Sequence, residues 1–222
     1  MNGKKASAYA RPNRLSIALS WGGGWASLSR FHQGVDQYIE RIQRGNPAVQ
    51  FDESPKSHFF INSELSLRYY FAQHVFAQIG YALLHNQAST GLTVGSSEGT
   101  LGYRNVAMEM VLLVGGYFTL LDSLYVYCGL GPSLLTFSTS YWNFSLGRIA
   151  DLKGPRGGGI HAVSGVDVLL MEHLAIGAEF RYRYVNTSEL EASEIAFPPM
   201  QPLEELNFSG PLLMINLRVF LH

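Results

Sequence analysis

Residues 174–185, Leu-Ala-Ile-Gly-Ala-Glu-Phe-Arg-Tyr-Arg-Tyr-Val, restrict what this chain can become more than any other stretch. Taken alternately, Leu174, Ile176, Ala178, Phe180, Tyr182 and Tyr184 share one face. Ala175, Gly177, Glu179, Arg181 and Arg183 share the other. A period of two is that of a β-strand. Three charges on successive positions of one face, opposite a wholly apolar and aromatic face, leave the strand two choices of solvent. In a soluble sandwich the charges point to water. In a membrane barrel the apolar face meets lipid and the charges point into the lumen.

Composition favours the second. Charged residues are 15% of the 222, against roughly 25% in an ordinary soluble domain. Aromatics reach 13% and there are 23 glycines, a mix suited to strands packed around a narrow interior. The net charge is −1 without a basic tract, so no nucleic-acid partner is expected. The single cysteine, Cys128, has no disulfide or Cys-x-x-Cys partner. The histidines at 32, 58, 74, 85, 161, 173 and 222 are scattered, so neither a metal site nor a cofactor is expected. No uninterrupted apolar run reaches the roughly 18 residues of a transmembrane helix. A secretory leader is not visible either. Ala6-Ser7-Ala8 has the small-x-small form of a cleavage site, but too little chain precedes it to hold an apolar segment. Residues 1–13 read as a tail, and 14–222 as a single β domain.

Eight strands follow from the alternation, at about 14–22, 58–71, 75–85, 105–120, 124–141, 159–170, 174–185 and 208–221. The phase of the fifth is obscured by Gly129, Gly131 and Pro132, which suggest a bulge or kink. Between the first two strands the period changes. Leu28, Phe31, Val35, Ile39 and Ile42 recur at three and four residues, which predicts an amphipathic helix over 28–44. It is expected to be a lid on its own scaffold more readily than a docking helix. Tight turns at 72–74, 121–123 and 171–173 alternate with long loops, including 87–102, 143–157 and the acidic, proline-containing 186–206. Short connections dictate antiparallel, up-and-down neighbours, and eight strands can close into a barrel. Trp21, Trp25, Tyr141 and Trp142 fall near loop-side strand ends, and Tyr69, Tyr70 and Phe71 near a turn-side end, as aromatic girdles at two interfaces do.

In its alternating strands, its turn asymmetry and its GAEFRYRY and INLRVFLH segments, the chain resembles the small eight-stranded outer-membrane barrels of the OmpA/OmpX type. Members usually end on an aromatic residue; here Leu221 and His222 follow Phe220. The resemblance implies an all-β, eight-stranded antiparallel up-and-down transmembrane β-barrel in a bacterial outer membrane, with lipid as its constant partner.

With the apolar faces on lipid, Glu64, Glu109, Asp167 and Glu179 converge in the lumen with Arg68, Arg181, Arg183 and Arg218. Unpaired buried charge is costly, so these are expected to pair as a salt-bridged plug. The same pairs could instead gate a narrow conduit or a transporter of small hydrophobic molecules. Catalysis on lipid would need a Ser/His/acid set, and none is found. His161 and Ser164, three apart, lie on opposite faces of a regular strand. The expected function is therefore non-enzymatic, with the helix and the 186–206 loop serving surface recognition or oligomer contacts. A lipid-modifying enzyme and a soluble lipocalin-like carrier are the alternatives. The carrier would need the apolar faces turned inward.

Overall fold

Alternation carries the chain into long antiparallel strands that close on themselves. In this computed structural model residues 14–72, 74–143, 147–187, 191–192 and 207–221 are described, the side chains of 141–155 and 191–192 excepted. In chain order the elements are β1 (Arg14–Trp25), α1 (Ser29–Gly45), β2 (Val49–Phe51), β3 (Phe59–Ala72), β4 (Val75–Val94), β5 (Ser97–Leu121), β6 (Leu124–Asn143), β7 (Gly147–Met171), β8 (Leu174–Thr187), β9 (Glu191–Ala192) and β10 (Gly210–Leu221). The ring runs β1-β3-β4-β5-β6-β7-β8-β10, antiparallel at every pairing. β10 returns to β1 with Leu15 opposite Leu221 and Gly24 opposite Leu212. Eight staves thus form a closed antiparallel barrel without a free edge among them. β2 and β9 are short additions on β4 and β7.

The faces are inside out relative to a water-soluble protein. On β8, Ile176, Phe180, Tyr182 and Tyr184 are exposed while Glu179, Arg181 and Arg183 are buried. On β10, Leu213, Ile215, Leu217 and Val219 are exposed while Asn216 and Arg218 are buried. The outward apolar run of β8 extends from Leu174 to Tyr184, close to the roughly ten tilted residues a β-strand needs to cross a bilayer. Trp21, Trp25, Phe59, Tyr69 and Phe71 all point outward, and Trp25 meets Phe59 edge-on at 5.5 Å. Tyr70 does not join that girdle. Parity turns it into the lumen, where it is 1% exposed. The side chains of Tyr141 and Trp142 lie outside the described residues.

Each of the three tight turns adjoins a register shift, at Tyr70/Ala72, Thr119/Leu121 and Leu169/Met171. His74 in the first has a φ of 73°. At the opposite rim the structure departs from the sequence reading. The stretch 87–102 is not a loop: β4 and β5 run on to Val94 and Ser97 and pair throughout, joined by Gly95 (φ 62°) and Ser96. Likewise most of 143–157 is strand. Beyond the lipid both faces of a strand can carry Gly, Ser and Thr, so the apolar alternation that marks a strand fades while the pairing continues. β1 also extends to Trp25, past the expected end. No bulge occurs at Gly129–Pro132, where β5 and β6 keep one register from Val111↔Ser133 to Val114↔Leu130. The glycines serve close approach instead: a Cβ on Gly129 lies 3.2 Å from Val163 Cγ1.

The lumen is filled in three storeys. Nearest the tight turns sit Tyr70, Phe76, Tyr117, Tyr125 and Phe220. Polar and charged side chains occupy the middle. At the far end an apolar cluster joins Phe60, Leu84, Tyr103, Phe137, Val185 and Phe208 to Leu28, Phe31, Val35, Tyr38 and Ile39, the residues of α1 and its N-cap. The helix therefore sits over the mouth of the barrel.

Candidate functional site

The middle storey follows from parity. Alternating residues of eight closed strands point inward, and in an interior this narrow the long polar side chains meet. Glu64, Arg68, Glu109, Asp167, Glu179, Arg181, Arg183 and Arg218 are each no more than 4% exposed. They divide into two groups.

In the larger group Arg181 is central. Its Nη1 lies 2.7 Å from Glu64 Oε2, and its Nη2 contacts Glu179 Oε1 at 2.5 Å. Glu179 accepts a further hydrogen bond from Tyr127 Oη at 2.8 Å. Arg68 donates to Gln78 Oε1 at 2.8 Å, and Gln78 Nε2 lies 3.4 Å from Glu64 Oε1. The Arg68 guanidinium also lies 4.1 Å from the centre of the Phe76 ring and 4.2 Å from that of Tyr127, two cation–π contacts. Arg218 donates to Asp167 Oδ2 at 3.1 Å and to Ser16 Oγ at 3.3 Å, and Arg68 reaches the same Asp167 oxygen at 4.0 Å. Three carboxylates and three guanidiniums thus cross the lumen together with neutral hydrogen-bonding partners. Such charge-assisted, two-pronged contacts suit arginine better than lysine.

The smaller group lies closer to the lid. His161 Nε2 is 2.8 Å from Glu109 Oε1, Arg183 Nη1 is 3.9 Å from Glu109 Oε2, and Arg183 Nε donates to the Phe208 carbonyl at 2.8 Å. The sequence offers His161 as a catalytic candidate without a serine on its face, and otherwise as a hydrogen-bonding group of the rim or interior. Its inward parity on β7, shared with Asp167, was the available signal. Ser164 faces outward and exposed, so the two do not meet.

Small residues make room for these groups. A Cβ on Gly177 falls on Asp167 Oδ1 and lies 2.9 Å from Asn216 Nδ2. Gly177→Val should therefore push Asp167 off Arg218 and lower barrel stability by about 1–3 kcal/mol. Urea unfolding followed by tryptophan fluorescence measures this, and an unchanged midpoint contradicts it.

Above the ion groups the lid is held by polar contacts as well as by its apolar face. Ser57 N donates to Tyr103 Oη at 3.0 Å and lies 3.3 Å from His32 Nε2. That ring nitrogen is 3.2 Å from Tyr103 Oη. Asn86 Nδ2 donates to the Phe59 carbonyl at 2.6 Å, and Asn105 links Asn86 to Thr139. On the lid's outer face Arg44 pairs with Glu40 at 2.8 Å, both side chains in solvent. Of the apolar face, Leu28, Phe31, Val35 and Ile39 are buried against the barrel and Ile42 is half-buried. Most of the 186–206 loop lies outside the described residues. Among the described residues no group of three His, Cys, Asp or Glu side chains could hold a metal ion.

No protein-family model matches the chain, and no curated protein matches it in sequence. Solved structures do match. The outer membrane protein OprG from Pseudomonas aeruginosa has 15% identity over 97% of this chain and 99% of its own, with a TM-score of 0.61. Neisserial surface protein A has 12% identity over 93% and 96%, with a TM-score of 0.48. The attachment invasion locus protein Ail of Yersinia pestis has 11% identity over 95% and 100%, with a TM-score of 0.46. The first of these, with the closed ring and the apolar belt, shows the fold: the chain is an eight-stranded antiparallel transmembrane β-barrel.

Proposed function

We propose that this chain is a bacterial outer-membrane barrel protein without enzymatic activity, closed along its axis, that acts through its lid-side surface. One observation carries the reading. The lumen is crossed at mid-height by the Arg181–Glu64–Glu179 contacts and covered again by α1, whose apolar face packs into the mouth. A pore of this strand number has room for its own side chains and little else. The surface left to act is the polar outer face of α1, including Arg30, Glu40 and Arg44, with the long β4–β5 hairpin beside it. Surface segments held on a rigid scaffold are where recognition concentrates.

The test is ion conductance of the refolded protein in planar bilayers. A closed barrel gives no steady current. A steady current that changes on Glu179→Gln or Arg181→Gln overturns the reading and makes the same ion pairs the gate of a narrow conduit.

A further inference from the structure

The lid is fastened at one point by a histidine in an unusual setting. His32 lies on the inner side of α1 and is 4% exposed. Its Nε2 faces the Ser57 N–H at 3.3 Å and Tyr103 Oη at 3.2 Å. The Ser57 N–H is shared between Tyr103 Oη, at 3.0 Å, and His32 Nε2; an N–H can only donate, so toward it Nε2 is an acceptor and the proton of the neutral ring sits on Nδ1. The other titratable groups around it come from three elements. His58, on the 52–58 connection, stacks edge-on at 4.4 Å and uses its own Nδ1 on the Ala26 carbonyl at 3.0 Å. Lys56, on the same connection, pairs with Asp36 of α1 at 3.0 Å. Tyr103 comes from β5. The surroundings of the ring are thus a backbone donor, a phenol, a second imidazole and an ammonium that already has its carboxylate.

A proton on Nε2 makes it a second donor beside the Ser57 N–H, with Tyr103 Oη left as the acceptor for both, and buries a positive charge beside His58 and Lys56. We infer that His32 is an acid-released latch: neutral, it holds α1 over the barrel mouth, and protonated, it lets the lid rise. The inference concerns the lid alone and stands whether or not the lumen conducts.

Burial and the neighbouring His58 lower the His32 pKa from 6.5 to about 4 with the lid closed. With the lid open the ring is in water and titrates near its ordinary value. The sign follows from linkage: the open state binds the proton more tightly, so closure is fully favoured above about pH 6.5, weakens as pH falls, and levels off near pH 4. Between about pH 7.5 and 4.5 the closed-to-open ratio should fall roughly seventyfold for that displacement.

Hydrogen exchange of the refolded full chain in lipid, corrected for the intrinsic pH dependence of exchange, tests this. Expected is a loss of protection in peptides covering 29–45 as pH drops from 7.5 to 4.5, with β8 and β10 unchanged as an internal control. His32→Gln, which keeps an acceptor and cannot titrate, should give a flat profile. His58→Gln removes the neighbouring imidazole, brings the closed-state pKa of His32 nearer to its open-state value, and should shrink the fall. Protection of α1 that is unchanged at pH 4.5 in the wild type overturns the latch. So does a His32→Gln variant that responds to acid as the wild type does, or a His58→Gln variant whose fall is undiminished.

Discussion

Arg181→Ala is expected to lower the stability of the barrel by about 3–5 kcal/mol. The substitution removes one cation and strands two anions. Glu64 and Glu179 are buried on facing strands, and Arg181 is the group that meets both, at 2.7 and 2.5 Å. Without it two carboxylates face each other in an interior that water reaches poorly, leaving Gln78 and Tyr127 to hydrogen-bond them. Urea unfolding in lipid vesicles, followed by the fluorescence of Trp21 and Trp25, reports the loss. Where the single variant does not refold, the neutral triple variant Glu64→Gln, Glu179→Gln, Arg181→Met carries the argument. It removes all three charges at similar volume and should recover most of the wild-type stability, because breaking a buried pair costs far more than replacing it. An Arg181→Ala barrel as stable as the wild type, or a triple variant as unstable as the single one, contradicts the account.

The contrast within that experiment also separates what was legible in the sequence from what was not. Inward positions were legible, because lipid enforces a period of two along every residue it touches. A charge among outward Phe180 and Tyr182 has only one other side to go to. The partners were not. Arg181 and Glu179 are two apart on one strand, a pairing any reader can draw. Arg181 and Glu64 are 117 residues apart and meet only because the ring closes with a particular stagger. Nothing local encodes that stagger. The aromatic neighbours of Arg68 were hidden in the same way, since Tyr127 lies on the strand whose glycines and proline masked its phase.

Outside the lipid the period-two rule lapses, and local residues no longer mark a strand. Ser89, Thr90 and Gly91 looked like loop but pair with Gly102, Leu101 and Thr100 as strand. The period of the helix was visible, and so was its apolar face. What that face covers was not, because Phe60, Phe137 and Phe208 are brought together from β3, β6 and the segment before β10. His32 belongs to the same difficulty. On a helical wheel it is a polar residue bordering an apolar stripe, and its burial comes from the docking of α1 against Tyr103 and the 52–58 connection.

The outward face yields the second large effect, and it depends on depth. Ala178 points outward near the middle of the apolar run of β8, flanked across the strand pairs by Ile215 and Val166. Tyr184 points outward at the end of that run, 57% exposed. Arginine at the bilayer midplane of a barrel costs about 2–4 kcal/mol and near the interface about 0–1, because at the rim the guanidinium reaches water and headgroups. Ala178→Arg should therefore destabilise the refolded barrel in vesicles by the larger amount and Tyr184→Arg by the smaller. Neither change touches the lumen, so the Arg181 contacts are not involved, and the two costs should add to that of Arg181→Ala in combined variants. If Ala178→Arg were neutral, this face of β8 would be in water. The exposed run of Phe180, Tyr182, Leu213 and Ile215 would then have no lipid to meet, and the transmembrane placement would fall. The pair of variants thus tests the choice of solvent that the alternation of residues 174–185 forces, independently of what the lid-side surface binds.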